Sequence, residues 1–400
     1  MNVLIIEPFV QGHHGAYLRW IIRAILSRGH SVQLATFEPS LAHPSMQDLL
    51  STSGERLTVI SRPARAFGTF DGNLIRMTAD MMAFRQLLGH FYALASNRCR
   101  VDFVFLPYLD YCTYALAVAG SPFGITPWGG IIMRAAFHYS AMGVKAPTGK
   151  VESVKKWLFG RLMRDPHLRV LFTIDETLYE YACEWPQETR SRLVYLPDLA
   201  VTKQSIDRPS ARERLRLGQD ALIILMYGSL AKRKGIEALL LASQHPDFPS
   251  RCQLLLAGKQ APDAIPILQS PQAMRLRQTG RLHELTHYLS EDEENTVFSA
   301  ADAVWLGYLG HYQMSGVLVQ AGMMGLPNIA CEEGLIGWLT RRHQSGVVVP
   351  ISDPAIVARE IKSLFETPGR AHEFGSNGRK AYASHTEAEA ARILLQAIGC

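Results

Sequence analysis

Short apolar runs alternate with stretches of helical periodicity along nearly the whole chain. Residues 3–7 read as an apolar strand. After them Leu18, Ile21, Ile22, Ile25 and Leu26 share one helical face, with Arg19, Arg23 and Arg28 off it and Gly29 closing the turn. A second strand at 31–36 completes a β-α-β unit. A long helix is predicted over 71–96, and strands over 101–107, 123–126, 168–174 and 193–196. A polar linker follows from 197 to 209. The pattern then restarts, with strands at 221–227, 252–257, 275–278, 303–306, 327–331 and 346–350. Helices are predicted from 236 onward and over 315–325, 354–365 and 387–398. Continuous apolar strands separated by amphipathic helices predict parallel, doubly wound α/β sheets.

At 400 residues the chain is long for one core. Two Rossmann-like domains are expected, at 1–200 and 210–382, with a terminal helix (383–400) able to pack back on the first. No uninterrupted apolar run reaches bilayer length; the richest, 108–133, is broken by Gly120, Pro122, Pro127, Gly129 and Gly130. A strand directly after Met1 leaves no room for a signal peptide. The six cysteines (99, 112, 183, 252, 331 and 400) have neither metal nor disulfide-framework spacing, which fits a reducing, cytoplasmic setting. A net charge of +5 is mild and gives no ground for a nucleic-acid partner.

Candidate chemistry sits where strands end. After 303–306 a polar loop leads through Tyr312 and Met314 to a helix start at Ser315, Gly316 and Val317, and Gly325 with Pro327 ends that helix. Its first amides lack intrahelical partners and lie at the positive end of the dipole. They form either an anion seat or an ordinary crossover turn. A second such place follows 221–227, where Gly228 and Ser229 lead into Lys232, Arg233, Lys234 and Gly235. No GK[ST] follows, so this is not a Walker loop. Two cation- or amide-rich strand ends in one sheet suggest a diphosphate held between them. In the first half, Gly12, His13, His14 and Gly15 form a loop after the first strand, read as substrate-facing and not as a metal or dinucleotide site. Asp110 and Trp128 also follow strand ends and are candidates for lining a cleft, Asp110 equally for a helix N-cap. No metal site is expected. Residues 145–169 carry seven basic side chains against Glu152 and Asp165, with Trp157, Leu158, Phe159, Leu162 and Met163 interleaved. That pattern is either a core helix with a solvated basic face or a peripheral contact with an anionic membrane.

The second half resembles the donor domain of GT-B glycosyltransferases of family 4, the glycosyl transferases group 1 type. The resemblance rests on Gly228 through Lys234-Gly235, Leu256-Ala-Gly258, Thr279-Gly280-Arg281, Ser299-Ala-Ala-Asp302, Gly325-Leu-Pro327 and Gly346-Val-Val-Val-Pro350, in the family's order and spacing. It is strong over 222–384 and weak before 200. It implies two Rossmann-like domains facing each other across a cleft, and a retaining, metal-independent hexosyltransferase. The co-substrate would be a nucleotide-diphosphate sugar, the partner a hydroxyl-bearing acceptor, and no further cofactor would be needed. By the same resemblance Lys234, with Arg233 beside it, contacts the donor diphosphate. Arg281 and Leu282 fall at the nucleobase turn. Gly228, Ser229, Lys259, Tyr312, Met314, Ser315, Gly316, Val317 and Gln320 complete the donor side, and Gly12, His13, His14, Gly15, Asp110 and Trp128 the acceptor side.

The chain departs from the family where the E-x(7)-E pair belongs, since Tyr312 and Gln320 stand there. A neutral Gln320 can bond a ribose hydroxyl only more weakly than an ionised Glu. Three readings follow: a transferase subgroup, a degenerate pseudo-transferase that binds a partner or sugar nucleotide, or a sugar-nucleotide 2-epimerase of shared fold. The last lacks its catalytic carboxylates here. The expected location is cytoplasmic, with peripheral contact at the inner face of the membrane as the alternative reading of 145–169.

Overall fold

The computed structural model describes residues 1–10, 13–64, 74–149, 151–200 and 206–400, the side chains of residues 13, 45 and 74–78 excepted. The expected Gly12 therefore lies outside the described residues. The chain divides into two compact units. The first comprises 1–142, 147–197 and 387–400; the second comprises 143–146 and 198–386.

The first unit holds a parallel seven-stranded sheet. Its strands are β1 (Asn2–Ile6), β2 (Ser31–Phe37), β3 (Leu57–Arg62), β4 (Phe103–Leu106), β5 (Trp128–Ile132), β6 (Leu168–Thr173) and β7 (Leu193–Tyr195). Their order is β3-β2-β1-β4-β5-β6-β7. Strands covered on both faces are apolar throughout, and Val3, Leu4, Ile5, Val104 and Phe105 have no exposed surface. The helix Glu387–Ile398 belongs to this unit and packs near the helix His13–Ser27.

The second unit holds six parallel strands: β8 (Leu222–Tyr227), β9 (Cys252–Ala257), β10 (Leu282–Leu285), β11 (Ala303–Leu306), β12 (Asn328–Cys331) and β13 (Gly346–Val349). The order β10-β9-β8-β11-β12-β13 places its reversal between β8 and β11. Asp302 pins this junction. Its Oδ2 accepts from the Ile223 amide (2.7 Å) and from buried Arg212 (2.5 Å), and its own amide donates to Ile223 O. The Ser299-Ala-Ala-Asp302 motif is thus a clamp on β8.

Two expected strands move. Residues 123–126 form a turn, and the strand is β5, which runs through Gly129 and Gly130. Those glycines read as loop, yet a Cβ on Gly130 would lie 2.6 Å from Leu106 O, and one on Gly129 the same distance from Val170 O. Close strand packing demands them. Residues 275–278 end a helix, Pro271–Gln278, N-capped by Ser270 with proline in its first turn; the strand comes afterwards as β10. Strand β3 and the helix Arg370–Ala381 are additional to the sequence reading.

Candidate active site

The strand reversal of the second unit brings together the loops after β8 and β11, the place where open α/β sheets hold ligands. The β8 loop turns at Gly228, whose φ is +95°, and closes as the 3-10 turn Lys232–Lys234 capped by Gly235 in the left-handed region, φ +70°. A Cβ on Gly235 would run into Gly307 O just beyond β11, so the two loops touch backbone to backbone. Leu309 N donates to Arg233 O (2.7 Å) and Trp305 Nε1 to Lys234 O (2.9 Å).

Lys234 is 4% exposed. Its ammonium donates to Tyr227 O (2.8 Å) and Tyr308 Oη (2.6 Å), and lies 4.3 Å from the Tyr308 ring centroid. A Cβ on Gly228 would lie 3.4 Å from its Nζ, so glycine there keeps one side of the ammonium open. Arg233, Lys232 and Ser229 are exposed on the same turn, and Lys259 is exposed at the end of β9. Leu230 N donates to Lys259 O, which ties that loop to the first.

The helix after β11 spans Gly316–Met323, with Ser315 at the N-cap position but its side chain making no capping bond. Gly316 and Val317 supply the first-turn amides. Met314 is buried, and His311 Nε2 donates to its carbonyl oxygen at 3.2 Å. Tyr312 is half-buried, its hydroxyl pKa raised by burial and by the Glu333 charge, so it stays a neutral phenol. Its carbonyl accepts from Leu335 N. Gln320 is 5% exposed, on the inward side of the helix. Neither of the two positions offers a carboxylate.

Several expected residues belong elsewhere. Arg281 and Leu282 lie at the amino end of β10, opposite the β8 loop, because the preceding segment is a helix. The Arg281 guanidinium donates to Cys252 O and Pro249 O and lies over Phe248. The carboxyl end of β10 presents Thr286, His287 and Tyr288 instead, the last 88% exposed. Trp128 has no exposed surface; it opens β5 inside the core, with Nε1 3.5 Å from Asp165 Oδ1. Asp110 is not a helix cap. Its carboxylate accepts from the amides of Met133 and Arg134, fixing the loop after β5, and burial raises its pKa despite those amides.

His13 and Gly15 lie in the first turn of the helix His13–Ser27, which starts earlier than the loop reading held. His14 Nδ1 is 3.2 Å from Glu7 Oε2, and its ring stands 4.4 Å from that of Tyr108. Glu7 directly follows β1 and is 1% exposed. His14 and Asp110 thus follow β1 and β4, the strand reversal of the first unit. Sequence reasoning did not single out Tyr227, Tyr308 or Glu7. The position of Tyr308, two residues beyond an apolar strand, was the available signal for it. Among the described residues no three His, Cys, Asp or Glu side chains converge as a metal site.

Comparison with known proteins finds similarity over part of the chain. Residues 221–367 match the family model described as glycosyl transferases group 1. This stretch of the chain is similar to that family.

The matched stretch contains the loops after β8 and β11. Relatives include a D-inositol 3-phosphate glycosyltransferase of Streptomyces bingchenggensis, 30% identical over 42% of this chain and 38% of that protein. A glycogen synthase of Mycobacterium tuberculosis is 25% identical over 96% of this chain and 91% of its own. The match thus spans well under half of the first relative and about nine-tenths of the second. Among solved structures, sucrose-phosphate synthase from Thermosynechococcus elongatus aligns with a TM-score of 0.69 at 17% identity, over 100% of this chain and 98% of its own. Anabaena HepE in complex with UDP aligns at 0.68 and 13%, over the whole of both chains. The fold is GT-B, with one parallel sheet in each unit.

Proposed function

We propose that the chain is a retaining glycosyltransferase that moves a sugar from a nucleotide-diphosphate sugar to a hydroxyl acceptor, without metal or cofactor. One observation carries this reading. Lys234 is a buried ammonium held by two neutral oxygens, and no described carboxylate forms an ion pair with it. A buried cation without a counter-anion is costly, and a diphosphate at the β8–β11 reversal would complete it. The names of the relatives, and a neighbour crystallised with UDP and with UDP-glucose, support the same class and make UDP the first nucleotide to try.

In this reading Lys234, exposed Arg233 and the amides of Gly316 and Val317 stabilise the diphosphate as the bond between the sugar's anomeric carbon and the phosphate oxygen breaks. The acceptor oxygen bonds to that carbon on the face the diphosphate leaves, and its proton passes to the departing phosphate oxygen. No protein base is then required, which accords with Tyr312 and Gln320 standing where the family has carboxylates. Ser229, Lys259 and the exposed loop Thr286, His287 and Tyr288 line the route to the base. His14 and Gly15 mark the acceptor side. The six cysteines are all free, which supports a reducing, cytoplasmic compartment.

The test is a thermal-shift and turnover screen of wild type and Lys234→Ala against UDP, GDP, ADP, TDP and their sugar conjugates. One nucleotide should raise the melting temperature of wild type only, and its sugar conjugate should be hydrolysed or transferred. A shift without turnover would favour the pseudo-transferase reading. No shift with any nucleotide overturns the donor site itself.

A further inference from the structure

The basic residues of 145–169 do not all form one surface. Lys145 belongs to the second unit, where its ammonium pairs with Glu332 at 2.5 Å. Arg169 donates to Ala397 O. What remains is one face of the helix Glu152–Leu162, and it has an unusual make-up.

The helix buries Phe159 and Leu162, and Met163 follows them into the core. Its opposite side presents Val154, Trp157 and Arg161 at steps of three and four residues, and Arg164, exposed in the turn just beyond the helix, follows three residues on. Val154 is 55% and Trp157 58% exposed, although both are side chains that burial favours. The Arg161 guanidinium lies 5.4 Å from the Trp157 ring centre, and its Nε donates to Ala117 O on the neighbouring helix Thr113–Ala119. Val118, 61% exposed, extends the apolar surface beside it. Lys156 is exposed on the flank, over the Tyr181 ring. The two acids nearest in sequence have other partners. Glu152 pairs with Lys155 at 2.8 Å, and Asp165 accepts from the His167 amide and faces Trp128.

We propose that this face docks on an anionic lipid surface. Lys156, Arg161 and Arg164, exposed and in no ion pair among the described residues, match lipid phosphates. An indole with an arginine across it suits the headgroup boundary, where apolar body and polar edge are both satisfied. Val154 and Val118 decide against nucleic acid, whose phosphates offer an aliphatic side chain nothing. A second copy of the same face would set like charges against each other. Among the described residues no helix is long and apolar enough to cross a membrane, so the contact is peripheral.

The experiment is co-sedimentation of the full chain with phosphatidylcholine vesicles, with and without phosphatidylglycerol, for wild type, Trp157→Ala, Arg161→Ala/Arg164→Ala, and a distant control, Lys362→Ala. Circular dichroism melts confirm that each variant folds. Wild type should sediment only with the anionic vesicles, and less as salt rises. The double arginine variant should bind roughly twenty-five-fold more weakly, about five-fold for each cation. Trp157→Ala should also weaken binding, and Lys362→Ala should not. Absent or charge-independent sedimentation, or equal losses in the control, overturns the proposal. So does self-association that Trp157→Ala removes without any lipid binding, which would assign the face to a second copy.

Discussion

The Lys234 ammonium lies 2.6 Å from the Tyr308 hydroxyl, although one belongs to the loop after β8 and the other to the loop after β11. The bond crosses the strand reversal of the second unit and places a positive charge there on neutral partners only. If that charge meets the donor diphosphate, the two residues separate by function. Lys234→Ala removes a charge-assisted bond of about 1.5–3 kcal/mol and should weaken nucleotide-diphosphate binding roughly ten- to hundred-fold. Tyr308→Phe keeps the ammonium; it should lower the melting temperature yet leave affinity within a few-fold. Titration calorimetry of both variants reads the split, and equal losses in the two would place the tyrosine on the ligand as well.

Gly235 and Gly280 both adopt positive φ, +70° and +66°, but only Gly235 faces another backbone. Alanine at either position carries a left-handed penalty of about 1–2 kcal/mol. At Gly280 that is all, because nothing lies within 4 Å of the added Cβ. At Gly235 the methyl meets Gly307 O and must part the β8 and β11 loops. Urea unfolding should therefore show a larger loss for Gly235→Ala, accompanied by lost nucleotide binding, while Gly280→Ala binds normally. Normal binding by Gly235→Ala would mean that the two loops need not touch for the site to work.

The alternation of apolar strands and amphipathic helices made the α/β architecture legible, because a strand covered on both faces has little choice but to be apolar. It also placed Lys234 and the helix at Gly316, since both follow strands whose ends were clear. Legibility failed where glycine and proline do a second job. The pair Gly129 and Gly130 after Pro127 reads as a loop, whereas strand packing requires them, and Trp128 thereby becomes core. Arg275, Leu276 and Arg277 fit a short strand as well as the end of a helix, and only the Ser270 cap before Pro271 separates the two. That slip put Arg281 after a strand, whereas it stands before β10, at its amino end. Asp110 illustrates a further limit, because its partners, the amides of Met133 and Arg134, lie more than twenty residues away.

Asp302 tests the clamp on β8. Its partner Arg212 has a side chain only 5% exposed and cannot reach water when the carboxylate is removed. Asp302→Ala should cost about 3–5 kcal/mol, the usual penalty for orphaning one member of a buried pair. Asp302→Ala/Arg212→Leu should recover part of it, since no unpaired charge then remains. Denaturant melts of the single and double variants check this. A single variant within 1 kcal/mol of wild type, roughly the worth of an exposed pair, would show that Arg212 finds other acceptors.

Asp110 sets a pH dependence whose sign follows from its burial. Its folded pKa is raised from 3.8, burial outweighing the two amides that donate to it. In the window from 3.8 up to the folded value, the native carboxyl holds more proton than the unfolded one. Stability from this group is then fully present below 3.8 and is lost as pH rises through the folded value. Other carboxylates of the chain can slope the opposite way, so the difference between wild type and Asp110→Asn isolates the effect. Asparagine cannot ionise and keeps one oxygen, an acceptor for one of the two amides. Urea unfolding across the acidic to neutral range should show the stability of wild type relative to Asp110→Asn falling with pH and then levelling. A difference that grows with pH would mean that the amides, not burial, dominate, and that Asp110 is held as a stabilised carboxylate under the loop after β5.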